Sequence, residues 1–290
     1  MSNMRACDEW RDYRVIATGD GYKLERWGDV ILLRPDPQVI WPAPFDLESY
    51  PGLCAKYTRS KSGGGEWTYL KKIPDEWFIN YKELTFKIKP MGFKHTGLFP
   101  EQAANWELAS KLISAANRPI SVLNLFAYTG GATVACLKAG ASVCHVDASK
   151  GMVERAGENV RLSGLADKTV RFIIDDCKKF VMREIKRGRR YDAVIMDPPS
   201  YGRGPNGEMW KIETELYPLV KLCRDVLTEK PLFFLVNSYT TGLQPQVINN
   251  VLTLALKGIN GRCEAYEVGL PTDEGITLPC GASGIFIGEN

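Results

Sequence analysis

The chain has 290 residues, 44% hydrophobic and 24% charged, with a net charge of +3, values that exclude a disordered, fibrous or coiled-coil protein and allow a main domain with a small companion. No apolar run approaches the roughly eighteen residues of a membrane helix, and MSNMRACDEWRDY has neither a basic start nor an apolar signal core, which predicts a cytoplasmic protein. The mild excess of positive charge permits a nucleic-acid partner without requiring one.

Up to about Tyr81 the chain reads as short strands and turns, with Gly-Asp pairs between runs rich in Val, Ile and Leu in YRVIATGDGYKLERWGDVILLRPD. KSGGGEW, from Lys61 to Trp67, reads as a flexible hairpin tip. Lys56, Arg59, Lys61, Lys71 and Lys72 surround it, a cluster that is either solvated surface or a phosphate contact. From Phe99 onward helices and strands alternate. FPEQAANWELASKLISAA has helical spacing; SVLNLFAY is a strand entering a glycine turn, and ATVACLKAGA the helix after it. The strand SVCHVDAS, the helix KGMVERAGENVRLSGL, the strand VRFIID, the helix CKKFVMREIKRG and a strand ending at Asp197 follow. A helix over TELYPLVKLCRDVLTE, the strand PLFFLVNS, a helix near QPQVINNVLTLALKG and a closing antiparallel hairpin complete the chain. This order predicts a doubly wound, mainly parallel sheet. It also predicts two domains, 1–88 β-rich and 89–290 α/β.

The chemistry is concentrated at the carboxyl ends of these strands, where open α/β sheets bind ligands. In NLFAYTGGAT, Gly130 and Gly131 occupy the turn between the first strand and the first helix, where a glycine lets backbone N–H groups approach a ligand. The spacing is not G-x-G-x-x-G. Asp147 ends the second strand, where an acid accepts hydrogen bonds from ribose hydroxyls; a helix cap is the alternative. Asp175 and Asp176 end the third strand and suit either an adenine amino group or a cap. In YDAVIMDPPSYGRG, four apolar residues covered on both faces lead into Asp197, two prolines, Tyr201 and glycines.

This ordered set resembles the class I S-adenosylmethionine-dependent methyltransferases, whose Asp-Pro-Pro motif marks the end of the fourth strand. NLFAYTGG, DPPSYGRG and FKHTGLFPEQAANW together look like the subgroup containing the ribosomal large-subunit RNA methyltransferases that modify cytosine C5 or guanine N7. The resemblance covers roughly residues 89–290 and implies a Rossmann-like, seven-stranded sheet and S-adenosyl-L-methionine as cofactor. It implies cofactor contacts at Phe126, Ala127, Tyr128, Thr129, Gly130, Asp147, Ala148, Ser149, Asp176 and Gln102. Asp197 and the Pro198 carbonyl would accept from a base edge, with Tyr201 stacking on it. The common form has the aromatic directly after the prolines, whereas Ser200 intervenes here. RNA, with ribosomal RNA favoured, is the implied partner, and no metal is needed.

Cytosine C5 methylation requires a cysteine thiolate to add to the ring. Relatives of that kind carry the cysteine just after the fifth strand, where this chain has Ser238 and Tyr239. Cys280, flanked by glycine in LPCGASG, is the remaining loop candidate, so nitrogen is the favoured acceptor. The eight cysteines are scattered without a C-x-x-C pair and are expected to be reduced. His145 reads as core, and His95 as loop packing or, by resemblance, as part of a stretch over the cofactor. Lys179, Arg183, Lys186 and Arg187 share a helix face that reads as solvated. Gly202, Gly204 and Gly207 suggest a moving lid in which Arg203 and Lys211 meet phosphates while Trp210 or Tyr201 stacks on a base. Alternatives left open are a methyltransferase acting on a small molecule or protein, a non-catalytic module holding methyl donor or RNA, and a nicotinamide oxidoreductase.

Overall fold

The computed structural model describes residues 4–60, 64–92, 94–203 and 209–289, with the side chain of residue 203 outside the description. The chain folds into two compact units, one of Ala6–Ala103 with Gly269–Cys280, the other of Met1–Arg5, Ala104–Val268 and Gly281–Asn290. The N-terminal unit thus runs to Ala103, past the 88/89 position suggested by the sequence, and takes in a C-terminal segment. None of the described helices is long and apolar enough to cross a membrane.

After a short strand β1 (Met4–Ala6), the N-terminal unit forms a five-stranded sheet in sequential order from β2 (Tyr13–Gly19), β3 (Tyr22–Trp27), β4 (Val30–Pro35), β5 (Leu53–Arg59) and β6 (Gly65–Tyr69). Only the β4–β5 pair is parallel. A separate hairpin joins β7 (Trp77–Tyr81) and β8 (Leu84–Ile88). The segment 269–280 returns to β2, where Asp273 N–H donates to Val15 O at 3.0 Å and Glu274 accepts from Thr18 N–H at 2.6 Å.

Inside this unit Glu25, with no exposed side-chain surface, takes a two-pronged contact from Arg34 at 2.6 and 2.8 Å and the Tyr13 hydroxyl at 2.6 Å. Burial alone would raise the Glu25 pKa, but the Arg34 guanidinium and Lys23 outweigh it and hold the carboxyl down at about 2. Parallel N–H donors on a fixed fork suit such a buried pair. Of the basic cluster seen in the sequence, Lys56 pairs with Glu48 and Lys71 donates to Pro51 O at 2.8 Å; Lys61 lies outside the described residues.

The second unit carries the α/β fold. Its elements are α1 (Ala103–Ala115), β9 (Ser121–Leu125), α2 (Gly131–Lys138), β10 (Ser142–Asp147), α3 (Lys150–Leu162), β11 (Val170–Ile174), α4 (Cys177–Lys186) and β12 (Ala193–Met196). The ribbon β13 (Tyr201–Arg203) and β14 (Met209–Lys211) precedes α5 (Ile212–Arg224), β15 (Phe233–Ser238), α6 (Pro245–Ala255), β16 (Gly261–Pro271) and β17 (Thr277–Gly288). The sheet runs β1-β16-β17-β15-β12-β9-β10-β11. Strands β11, β10, β9, β12 and β15 are parallel and β17 is antiparallel to β15. Seven strands follow the sequence reading; β1, three residues too short to read as a strand, adds an eighth.

The central strands are apolar because both faces are covered. All four residues of β12 are buried, and Val194 and Met196 share a core with Leu123 and Leu125 of β9, Phe180 of α4, Leu219 of α5 and Ile248 of α6. A buried polar network ties α1 to the other edge. Asn105 donates to Asn237 Oδ1 at 2.9 Å and Ser283 Oγ at 3.0 Å, and accepts from the Tyr266 hydroxyl at 2.6 Å.

Glu25→Gln should leave the Arg34 cation buried without its counter-charge and destabilise the N-terminal unit by about 3–5 kcal/mol, read as a loss in thermal denaturation. Because the folded Glu25 pKa is depressed, the native chain holds this contribution above the ordinary carboxylate range and loses it as pH falls from about 4.5 through about 2. The variant should lack that step.

Candidate active site

Parallel pairing sets the geometry. Leu125 at the end of β9 is level with Val146 of β10 on one side and Met196 of β12 on the other, so the residues that follow each strand emerge at one edge. The loop 126–130 leaves β9 there in an unusual conformation. Phe126, Tyr128 and Gly130 all have positive φ, at 53°, 50° and 83°. Glycine enters this region freely, whereas bulky side chains do so at a cost of order 1–3 kcal/mol that the surroundings must offset.

Those surroundings are specific. Phe126 N–H points to Cys177 Sγ at 3.3 Å, Ala127 N–H donates to Val146 O at 3.1 Å, and Tyr128 N–H donates to Asp147 Oδ2 at 2.8 Å. Asn159, fully buried on α3, donates to Thr129 O at 2.8 Å. Beneath the loop, Thr133 Oγ1 lies 2.9 Å from both Asn124 Nδ2 and His145 Nδ1. Burial lowers the His145 pKa to about 4, which keeps the ring neutral at physiological pH. His145 is therefore a core residue. Neither the left-handed Phe126 and Tyr128 nor the Asn159 contact was read from sequence; an amide on the buried face of α3 was the available signal.

Asp147, half-buried at the end of β10, also accepts from Ser149 N–H through Oδ1 at 2.8 Å. Ser149 itself occupies the N-cap position of α3, with Ala148 exposed beside it. A carboxylate offers about four lone-pair sites, so each Asp147 oxygen keeps acceptor capacity after these two bonds. Asp176 caps α4 by accepting from Lys179 N–H at 2.8 Å through Oδ1, and Asp175 pairs with Arg183. Capping, the alternative reading of Asp176, is thus realised, with the residue exposed at the same sheet edge. Gln102 is buried at the end of the short helix Pro100–Gln102, within the N-terminal unit. His95 packs near Phe99 in that unit, and burial lowers its pKa to about 4.

Asp197 follows β12, half-buried, with its N–H 3.4 Å from Leu125 O; Pro198 is buried and Pro199 exposed. The segment read as a moving loop is instead a two-stranded antiparallel ribbon pairing Tyr201 with Lys211, Gly202 with Trp210 and Arg203 with Met209. Gly204, Pro205 and Gly207 lie outside the described residues. The ribbon is fastened at its base. Trp210 Nε1 donates to Pro199 O at 2.5 Å and the indole packs 5.6 Å from Phe126, while Ser200 Oγ and Thr240 Oγ1 are 2.6 Å apart. Those bonds occupy Trp210, expected to stack on a base, as an anchor. Tyr201, 49% exposed, is the aromatic presented to solvent, and Lys211 is exposed beside it.

Cys280 corrects another expectation: it is buried, and burial pushes its thiol pKa well up. Burial likewise pushes Cys177 up to about 12.

With this site in view, comparison with known proteins gives a consistent result. The profile of the S-adenosylmethionine-dependent methyltransferase family matches residues 53–213. A crystal structure of a SAM-dependent methyltransferase from Agrobacterium tumefaciens superposes with a TM-score of 0.92 at 30% identity, covering 100% of this chain and 94% of that one. The chain belongs to the S-adenosylmethionine-dependent methyltransferases. Ribosomal RNA large subunit methyltransferase K/L of Shewanella baltica is 28% identical over 211 residues, 70% of this chain. Ribosomal RNA large subunit methyltransferase I of Aeromonas salmonicida is 36% identical over 107 residues, 37% of this chain and 26% of that protein. The chain spans about 28% of the length of the K/L relative.

The glycine turn tests directly. A Cβ on Gly131 would lie 2.4 Å from Cζ2 of the buried Trp106, so Gly131→Ala should overpack the start of α2 and cost about 1–3 kcal/mol. Gly151, in the first turn of α3 with nothing within 4 Å of such a Cβ, should instead gain about 0.5–1 kcal/mol as Ala. Opposite shifts in denaturation midpoint are expected.

Proposed function

We propose that the protein transfers a methyl group to a base in RNA, with ribosomal RNA the favoured acceptor and nitrogen the favoured atom. The observation that carries this reading is the convergence, at one sheet edge, of the left-handed glycine loop, Asp147, and Asp197 with its two prolines and exposed Tyr201. The names of the ribosomal RNA methyltransferase relatives support the choice of acceptor class.

The residues fit S-adenosylmethionine. The turn at Gly130 admits no side chain, since a Cβ there would meet Ala156 Cβ at 2.9 Å, and the loop leaves β9 at the edge where Asp147 and Asp197 lie. Asp147 retains acceptor sites for a pair of ribose hydroxyls, and Asp176 one oxygen beyond its cap for an amino group. Bound there, the cofactor supplies a methyl already activated on a sulfonium, which leaves the protein to orient an acceptor and stabilise charge.

For the acceptor, the Asp197 carboxylate and Pro198 carbonyl would accept hydrogen bonds from N–H groups on the edge of a base, and the carboxylate would take the proton that the nitrogen gives up as it gains the methyl, with S-adenosylhomocysteine the leaving group. Tyr201 stacks on the base face. Two rigid prolines hold these acceptors with little freedom to lose. Nitrogen rather than cytosine C5 is favoured because a thiolate is needed for carbon, and all eight cysteines are buried or half-buried.

Asp147→Ala should weaken S-adenosylmethionine binding by about 1.5–3 kcal/mol in calorimetry. Asp197→Ala should leave that affinity nearly intact while methyl transfer collapses; equal loss of both would move Asp197 to the cofactor side. The acceptor is identified by mass spectrometry of nucleosides from RNA of cells with and without the gene. A missing methylated nucleoside names it, and an unchanged set would overturn the RNA assignment.

A further inference from the structure

Charge on this chain is segregated. Residues 168–190 hold nine cations and three carboxylates, twice the +3 net charge of the whole chain, so everything else is net negative. The stretch includes edge strand β11, helix α4 and the turn into β12. A solvated surface ordinarily mixes both signs. Here the one carboxylate on α4, Glu184, is turned inward with 1% of its side chain exposed. It spends its charge on Arg171 at 3.5 Å, Arg187 at 3.0 Å and the Tyr191 hydroxyl at 2.5 Å, positioning two guanidiniums at the surface. Lys186, Arg189 and Arg190 are exposed and make no ion pair with a described residue.

We propose that this face, α4 with Arg171 and the turn through Arg190, docks the phosphate backbone of structured RNA. The inference rests on the RNA reading of the active site. Anionic partners other than RNA would also be attracted, but the position favours RNA. Asp176, the N-cap of α4, is on the same sheet edge as Asp147 and Asp197, and β11 lies three strands from β12. At a strand spacing of about 4.8 Å, its near end is about 14 Å across the sheet from Asp197. Ten residues of helix then carry the cations about 15 Å further along. A strand whose base enters at Asp197 has neighbouring phosphates within that span. The large apolar side chains exposed on this face are Ile174 and Met182, with no aromatic among the described residues. Single-strand binders stack bases on aromatics; without them the surface grips backbone, independent of sequence, as in recognition of duplex RNA by shape and phosphate.

The test combines Lys186→Ser, Arg189→Ser and Arg190→Ser in one variant, all exposed and outside the catalytic edge. Binding of a labelled RNA duplex of about twenty base pairs and arbitrary sequence is followed by anisotropy over a salt series. The variant should bind at least about tenfold more weakly at 0.1 M salt, and the slope of log affinity against log salt should fall by about 2 to 3, roughly 0.9 per lost phosphate contact. Melting temperature and S-adenosylmethionine affinity should not change. Unchanged affinity and slope, with the wild type binding duplex, would overturn the assignment, as would loss of binding to phosphatidylserine vesicles with RNA affinity retained. Wild type that binds duplex while the nucleoside analysis finds no missing methyl mark would leave this surface standing and remove the acceptor assignment alone.

Discussion

The site depends on one constraint, the level register of three parallel strands. Leu125 is paired with Val146 and with Met196 at the same height, so the chain leaving β9, Asp147 ending β10 and Asp197 following β12 arrive together without long-range folding of loops. Parallel strands require crossover helices, and those helices cover both faces. A slip by one residue would exchange the two faces of β12, bringing Ala193 and Ile195 to the core that Val194 and Met196 fill. The height of the three strand ends is therefore as well determined as the core itself.

On that platform Asp147 acts as a strap. One carboxylate oxygen holds Tyr128 N–H and the other Ser149 N–H, so a single side chain joins the loop after β9 to the start of α3. The loop needs such support because two aromatic residues in it occupy the left-handed region. Asn159 below Thr129 and the Thr133–His145–Asn124 cluster supply the rest from buried positions on α3, α2, β10 and β9. Strain that would be lost to relaxation in an exposed loop is retained here because each partner is itself packed.

Trp210 links this loop to the segment that follows β12. Its indole touches Phe126 and donates to Pro199, so the ribbon that presents Tyr201 is fastened to both the loop after β9 and the Asp-Pro-Pro segment. The Ser200–Thr240 contact adds a second tie to the strand end of β15. A ribbon held at its base keeps Tyr201 in place beside Asp197. The segregated cations of α4 lie on the same unit, which gives the methyltransferase fold its own electrostatic surface.

The alternation of strands and helices, the buried character of β12, the glycine turn and the acids at successive strand ends were all legible in the amino-acid order, because period, turn chemistry and apolar runs are local signals. The family was legible too, through motifs short enough to read directly. What those residues spend their bonds on came only with packing. Asp176 caps α4, Trp210 anchors a ribbon, and Cys280 is buried although its glycine neighbours suggested access. The left-handed Phe126 and Tyr128, the inward turn of Glu184 and the short β1 were likewise invisible. Apart from the Asp176 cap, whose donor Lys179 N–H is three residues away, these depend on partners further along the chain, and no local pattern encodes which polar group will be taken by a neighbour and which left for a ligand.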